Sequence, residues 1–300
     1  MTADDWRRVL DHAHAAGVTG VQLTGGEVTM HPEAPALVEY ASRLGLKVEV
    51  YSNLVHMTHR PGGRRKSLVR ERKINAYLGH ISPPLLWDVE AEDWLILGFE
   101  VVEGRAADFT PDSTDLPLVM DALAQVGRLP LPEIARNWAE TRWDRFASDT
   151  SEAELFQGDS LLYTDINPDN MMVQGRRVKV LDWAWPTRGA GFIDPALLVV
   201  QLIASGHSPA SAEKWAAQLA AWRRADPRAI DAFAVANLRM SVAFSERKPD
   251  EDWLKSMVTA CRSWTDYRGV TPSAAAASAL PCTGCAGSTV RFSQRITPPR

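Results

Sequence analysis

Leu161-Leu162-Tyr163-Thr164-Asp165-Ile166-Asn167-Pro168-Asp169-Asn170-Met171-Met172-Val173, continued by Val178-Lys179-Val180-Leu181-Asp182-Trp183, decides the reading of this chain. Asp165 and Asn170 stand five positions apart on a segment that Pro168 breaks. Met171-Met172-Val173 and Val178-Lys179-Val180-Leu181 flank Gln174-Gly175-Arg176, the pattern of a hairpin. Asp182 closes the second run, twelve positions beyond Asn170. A tight loop followed by a hairpin returns these three polar side chains to one place.

Phosphoryl transfer from a nucleotide suits that arrangement. A carboxylate must orient the attacking hydroxyl and accept its proton, while an amide oxygen and a second carboxylate hold the bridging magnesium. Magnesium takes oxygen ligands octahedrally and keeps several waters, so one Asn and one Asp suffice. The structural alternative is that Asp165 and Asn170 only form a turn, as Asx residues do, and that Asp182 caps a strand.

The surrounding composition sets the class. The 300 residues carry 33 Lys+Arg against 37 Asp+Glu, a net charge of −4, and 45% are hydrophobic. That length fits two domains or one large domain with an appendage. The mildly acidic balance argues against nucleic acid as a partner, since phosphate binding needs clustered Lys and Arg. No run approaches the roughly 18 apolar residues of a membrane span. Met1-Thr2-Ala3-Asp4-Asp5-Trp6 lacks the basic start and apolar core of a signal peptide. The expectation is a cytoplasmic protein that acts on small molecules, with no nucleic acid or membrane partner.

The catalytic stretch resembles the aminoglycoside phosphotransferase family of kinase-like small-molecule kinases, whose loop commonly reads His-Gly-Asp-x-x-x-x-Asn, followed by Ile-Asp-Trp. The resemblance implies an α+β, protein-kinase-like bilobal fold with a truncated N-lobe and a mostly helical C-lobe. It implies ATP and Mg2+ as cofactors, and transfer of the γ-phosphate to a hydroxyl of a small-molecule substrate. Asp165 would be the catalytic base, with Asn170 and Asp182 as magnesium ligands. Asp194, in Gly191-Phe192-Ile193-Asp194-Pro195-Ala196, looks like the family's buried aspartate that braces the catalytic loop. Tyr163 stands where His is usual, and Thr164 where Gly is common.

The likeness extends upstream and covers residues 67–268. Phe99-Glu100-Val101-Val102-Glu103-Gly104-Arg105 resembles the strand and hinge that meet adenine through backbone groups, which implies nucleotide contacts at Glu100 and Val102. Arg70-Glu71-Arg72-Lys73-Ile74-Asn75-Ala76-Tyr77-Leu78 resembles the N-lobe helix, with Glu71 as the residue that normally pairs with a strand Lys. The helical run from Ala196 to Arg268, with Trp215, Trp222, Trp253 and Trp264, would be the C-lobe, its Trp residues serving as core.

The front of the chain follows another pattern. Apolar spacing predicts a helix over 4–16, a strand over 20–24, a helix over 32–44 and a strand over 46–51, a βα repeat of a parallel sheet. With Gly25-Gly26-Glu27 after the first strand, residues 4–58 resemble part of a radical S-adenosylmethionine domain, Val28 replacing the usual Pro. Radical chemistry needs three closely spaced Cys thiolates for an iron–sulfur cluster, and no Cys precedes Cys261. The segment therefore reads as a fold fragment. The expected organisation is this fragment over 1–58, a linker over 59–66, an N-lobe remnant over 67–105, a C-lobe over 106–270 and a disordered tail over 271–300. Within the tail, Cys282-Thr283-Gly284-Cys285 has the spacing of half a zinc site, without a second half.

Gly62-Gly63 is not a G-x-G-x-x-G phosphate loop, and Lys66 lies only five positions before Glu71. Lys47, on a strand 24 positions before Glu71, is the more tolerable candidate for the paired Lys. These departures support an alternative: a catalytically impaired, kinase-like binding module. Glu152, Glu154, Asp159 and Asp169 read either as a patch attracting a cationic acceptor or as a solvated face.

Overall fold

The computed structural model describes residues 2–23, 33–50, 63–91 and 94–270. Contacts divide the chain into two units, Met1–Glu103 and a second that begins at Gly104. The Gly25-Gly26-Glu27 motif, the 59–62 part of the linker and the tail with Cys282 and Cys285 lie outside the described residues.

In the first unit, α1 (Ala3–Ala15), β1 (Gly20–Leu23), α2 (Ala34–Arg43) and β2 (Lys47–Val50) follow the order that periodicity predicts. Thr2 accepts from the Asp5 N–H while the Asp5 carboxylate accepts from the Thr2 N–H, a reciprocal cap that starts α1. β1 and β2 pair in parallel, Val21 opposite Val48. α3 (Gly63–Asn75) starts four residues before the expected Ser67. The basic run that reads as a turn is made of good helix formers. Asn75 donates to the Pro83 carbonyl at 2.8 Å and accepts from the Leu85 N–H at 2.7 Å, tying α3 to the next strand. That strand, β3 (Leu85–Ala91), pairs antiparallel with β4 (Trp94–Phe99). Two parallel strands expose apolar faces that something must cover. Here Leu10, Ala13, Val21, Ala41 and Leu46 form a buried cluster, and Trp87 of β3 packs on it.

The second unit runs β5 (Arg105–Ala106), α4 (Leu116–Val126), α5 (Thr150–Glu154), β6 (Ser160–Leu162), β7 (Met171–Gln174), β8 (Arg177–Val180), β9 (Thr187–Gly189) and five further helices. β5, β7 and β8 form one antiparallel sheet in that order, and β6 pairs antiparallel with β9. The β7–β8 hairpin matches the predicted one. Gln174 faces Arg177 across a two-residue turn, and Gly175 supplies the positive φ of +59° that such turns need. Gly104 is required by close approach, because a Cβ there would stand 2.4 Å from the Val173 carbonyl oxygen.

α6 (Ile193–Ala204), α7 (Pro209–Ala216), α8 (Ala220–Arg224), α9 (Pro227–Arg247) and α10 (Asp252–Arg268) build the helical part, α10 packing on both α6 and α9. Trp264 and Phe233 are fully buried, and Trp222 stacks on Trp264 at 6.3 Å. Trp215 and Trp253 are only half-buried. Cys261 is buried against Asn237 and Ser241, and burial pushes its thiol up to about 11, so it stays protonated. Helices and mixed strands together make the chain α+β, the expected fold class. Among the described residues no helix is long and apolar enough to cross a membrane.

Candidate active site

The site is built on the loop that leaves β6. The N–H groups of Tyr163 and Thr164 donate to the two carboxylate oxygens of Asp194, at 2.9 and 2.8 Å. Asp194 lies in the first turn of α6, where a carboxylate also meets the positive end of the helix dipole. The clamp holds Thr164 at φ +65°, an unfavourable conformation for a β-branched residue. This position is the one where glycine is common in the resembling family, which gives the conformation a local logic. The Thr164 hydroxyl lies 2.7 Å from the Tyr163 carbonyl and 3.1 Å from that of Trp185. Thr164→Val keeps the strain and deletes the hydroxyl. It is expected to lower stability by about 1–2 kcal/mol in urea unfolding, and an unchanged midpoint would remove the hydroxyl's role.

Asn167 organises the next turn. Its Oδ1 accepts from the Asn170 N–H at 3.0 Å, and its Nδ2 donates to the Asp165 carbonyl at 3.1 Å and to Asp165 Oδ1 at 3.3 Å. It thereby caps a short 3-10 turn over Pro168–Asn170. Sequence reasoning did not single out Asn167, although Asn directly before a helix-starting Pro is a capping signal. Asn170 Nδ2 donates to the Asp165 carbonyl at 3.1 Å, which leaves its Oδ1 for another partner. The Leu181 N–H donates to the Asn170 carbonyl at 2.8 Å, and the Tyr163 hydroxyl donates to the Leu181 carbonyl at 2.5 Å. The backbone just before Asp182 is thus tied to both ends of the loop. Asp182 itself is exposed and left-handed at φ +52°. Two strained non-glycine residues flank one loop, a concentration typical of functional sites.

Asp165, Asn170 and Asp194 are buried. Burial, then the neighbouring Asp182 charge, pushes the Asp165 carboxyl up to about 7, against the pull of Arg142 and the Asn170 and Asn167 amides. Burial likewise raises Asp194 to about 6, despite its two backbone donors and Arg142. Asp182 therefore sits within electrostatic reach of Asp165, as the spacing in the sequence predicts.

Arg142 and its partner Glu140 are site residues that sequence reasoning missed. Glu140 is 1% exposed and accepts from Arg142 Nε, Arg142 Nη2, the Arg142 N–H and the Thr187 hydroxyl. Burial pushes Glu140 up, but Arg142 and Thr187 outweigh it and hold the carboxyl below its ordinary value. The segment is locked alongside β9: Glu140 N–H donates to the Arg188 carbonyl at 2.8 Å, and Arg188 N–H to the Trp138 carbonyl at 2.7 Å. Of the acidic positions that read as a patch, Glu152 accepts from the Ser148 N–H at the start of α5 and Asp159 pairs with Arg188 at 3.4 Å.

The donor set fits a hard divalent cation. Asn170 Oδ1 and the Asp182 carboxylate are oxygen donors on adjoining segments, as magnesium prefers. Among the described residues no group of three or more His, Cys, Asp or Glu side chains could hold a metal ion, so waters and phosphate oxygens would complete the shell. The remaining predicted residues belong to the first unit. Glu71 is half-buried on α3, the helix that also carries exposed Lys66, while exposed Lys47 begins β2. The Glu100 N–H donates to the Pro84 carbonyl at 3.0 Å. The Glu100 carbonyl and both backbone groups of Val102 make no hydrogen bond among the described residues.

The fold is similar to that of a solved choline/ethanolamine kinase family protein. The choline/ethanolamine kinase family protein from Mesorhizobium loti matches with a TM-score of 0.50, at 12% identity, over 81% of this chain and 96% of that one. Choline kinase LicA from Streptococcus pneumoniae matches at 12% identity over 69% and 84% of the two chains, TM-score 0.49. An aminoglycoside phosphotransferase from Alicyclobacillus acidocaldarius matches at 13% identity over 69% and 79%, TM-score 0.46. At 12% identity and a TM-score of 0.50, the Mesorhizobium loti match bears on the fold alone. No family model and no curated protein matches the chain. Nothing in these comparisons supports the radical S-adenosylmethionine resemblance of residues 4–58, whose Glu27 lies outside the described residues.

Proposed function

We propose that the protein is an ATP-dependent phosphotransferase acting on a hydroxyl group of a small molecule. The observation that carries this reading is the Asp165 loop: a buried carboxyl raised to about 7, an Asn170 amide bonded to the same residue's carbonyl, and the Asp182 charge felt at Asp165. A base is most effective when its pKa lies near the working pH. Asp165 takes the proton of the acceptor hydroxyl as its oxygen attacks the γ-phosphorus and the bond to the ADP oxygen breaks. Asn170 and Asp182 hold Mg2+, which supplies charge neutralisation at the phosphate oxygens when bound. Asp194 braces the loop through Tyr163 and Thr164. The Glu100 carbonyl and the backbone groups of Val102, which make no hydrogen bond among the described residues, meet the adenine edge, and Glu71 orients a phosphate-binding Lys.

A second reading, nucleotide binding without turnover, is favoured by the missing G-x-G-x-x-G motif. Thermal-shift titration with ATP, with and without Mg2+, and ADP release over a panel of alcohols separate the two. Magnesium-dependent stabilisation with acceptor-dependent ADP release is expected. Stabilisation without turnover on any acceptor leaves the binding module, and no stabilisation at all removes both.

A further inference from the structure

Glu140 uses both of its oxygens on one edge of the Arg142 guanidinium, the edge formed by Nε and Nη2, at 3.0, 3.1 and 2.5 Å. Nη1 makes no hydrogen bond among the described residues, so the opposite, end-on edge of Nη1 and Nη2 keeps a two-pronged set of donors. The group is held by two neighbours, Glu140 and Trp143. Glu140 is 1% exposed and is itself anchored by Thr187. The guanidinium carbon lies 4.9 Å from the centre of the Trp143 ring, and Trp143 is buried with its Nε1 bonded to Asn237 at 2.9 Å. Thr187 stands opposite Leu162, three residues before Asp165, so the β6–β9 ladder brings the Glu140–Arg142 segment beside the loop.

We infer that Arg142 is the acceptor-recognition residue, and that the alcohol phosphorylated here carries an oxyanion, a carboxylate or a phosphate ester, which the end-on edge of Arg142 binds. A planar guanidinium with one edge committed to a buried carboxylate and the other open is preorganised for a second, bidentate oxyanion. The guanidinium also lies within electrostatic reach of Asp165 and Asp194, which places its charge beside the loop. The substrate class is therefore an anionic polyol, in place of the cationic acceptor that Glu152, Glu154, Asp159 and Asp169 suggest from sequence. The inference rests on the phosphotransferase reading only for the word acceptor.

Calorimetric titration with four matched six-carbon probes tests it: sorbitol, gluconate, sorbitol 6-phosphate and the cationic 1-amino-1-deoxysorbitol. The wild type is expected to bind gluconate or sorbitol 6-phosphate at least about tenfold tighter than sorbitol, the two anions distinguishing carboxylate from phosphate. The preference is expected to vanish in the Glu140→Gln/Arg142→Gln double variant, which removes the buried Glu140 charge together with its partner, and to weaken in Arg142→Lys, which keeps the charge and loses the fork. A wild type without anionic preference, or a double variant that keeps it, overturns the inference. MgATP titrated in parallel separates the two claims. Nucleotide binding without anionic preference removes this inference alone, and anionic preference without nucleotide binding removes the kinase reading while Arg142 stands.

Discussion

Asp165→Asn is expected to lose about 10²–10⁴-fold in phosphoryl transfer while gaining thermal stability at pH 8. The first half follows from chemistry: an amide accepts no proton, yet it preserves the shape and the bond from Asn167 Nδ2. The second half follows from burial. Asp165 titrates at about 7 in the folded chain, above its ordinary 3.8, chiefly because burial disfavours the charged form. Between those values the native state holds a proton that the unfolded chain has released, so stability falls as pH rises through that window. Asn carries no charge, so without divalent cation the variant is expected to melt a few degrees above the wild type at pH 8, the gap closing near pH 4. Melting curves at the two pH values and initial rates of ADP release check both halves. Wild-type turnover in the variant would strip Asp165 of its role. A variant less stable at pH 8 would show that the carboxylate is stabilised by partners and not strained by burial.

The site was legible where chemistry and local geometry coincide. The placing of Asp165, Asn170 and Asp182 near one another was readable because a Pro-broken loop and a Gly-turned hairpin leave few ways for the chain to run. Asp194 was readable only through resemblance, since nothing local says that its carboxylate crosses to the N–H groups of Tyr163 and Thr164. Glu140 and Arg142 were not readable at all. Their alternating charges in Ala139-Glu140-Thr141-Arg142-Trp143 look like a surface pair, whereas the backbone bonds of Glu140 and Trp138 to Arg188 set Glu140 in a buried position and leave Arg142 half-buried. β5 was invisible for the same reason: two residues pair with β7 some sixty-five positions away, a register that no local pattern carries. At the front, periodicity captured each helix and strand among the described residues to Val50. What it could not supply was the cover, because Trp87 joins that cluster from a strand far along the sequence.

Asp194→Ala carries the second large expected effect, and its pH dependence distinguishes a brace from an ordinary buried carboxylate. The substitution leaves the N–H groups of Tyr163 and Thr164 without acceptors inside the protein, at about 1–3 kcal/mol for each unsatisfied donor. It also releases Thr164 from φ +65°, and the relaxation offsets part of that loss. The net expectation is a deficit of about 2–4 kcal/mol at pH 5. Burial raises the folded-state titration of Asp194 to about 6 from its ordinary 3.8. The wild type therefore loses stability from this group as pH rises from about 4 to 6, whereas Ala has nothing to titrate. The deficit is expected to shrink by pH 8, measured by urea unfolding at both values. A deficit that instead grows with pH would mean that the ionised carboxylate is the favoured native form. Once Thr164 leaves the left-handed region, the Asp165 carboxyl shifts relative to the Asn170 amide. A displacement of about 1 Å costs on the order of a hundredfold in turnover. Asp194→Asn, which keeps one acceptor oxygen, is expected to fall between Ala and the wild type in both stability and rate.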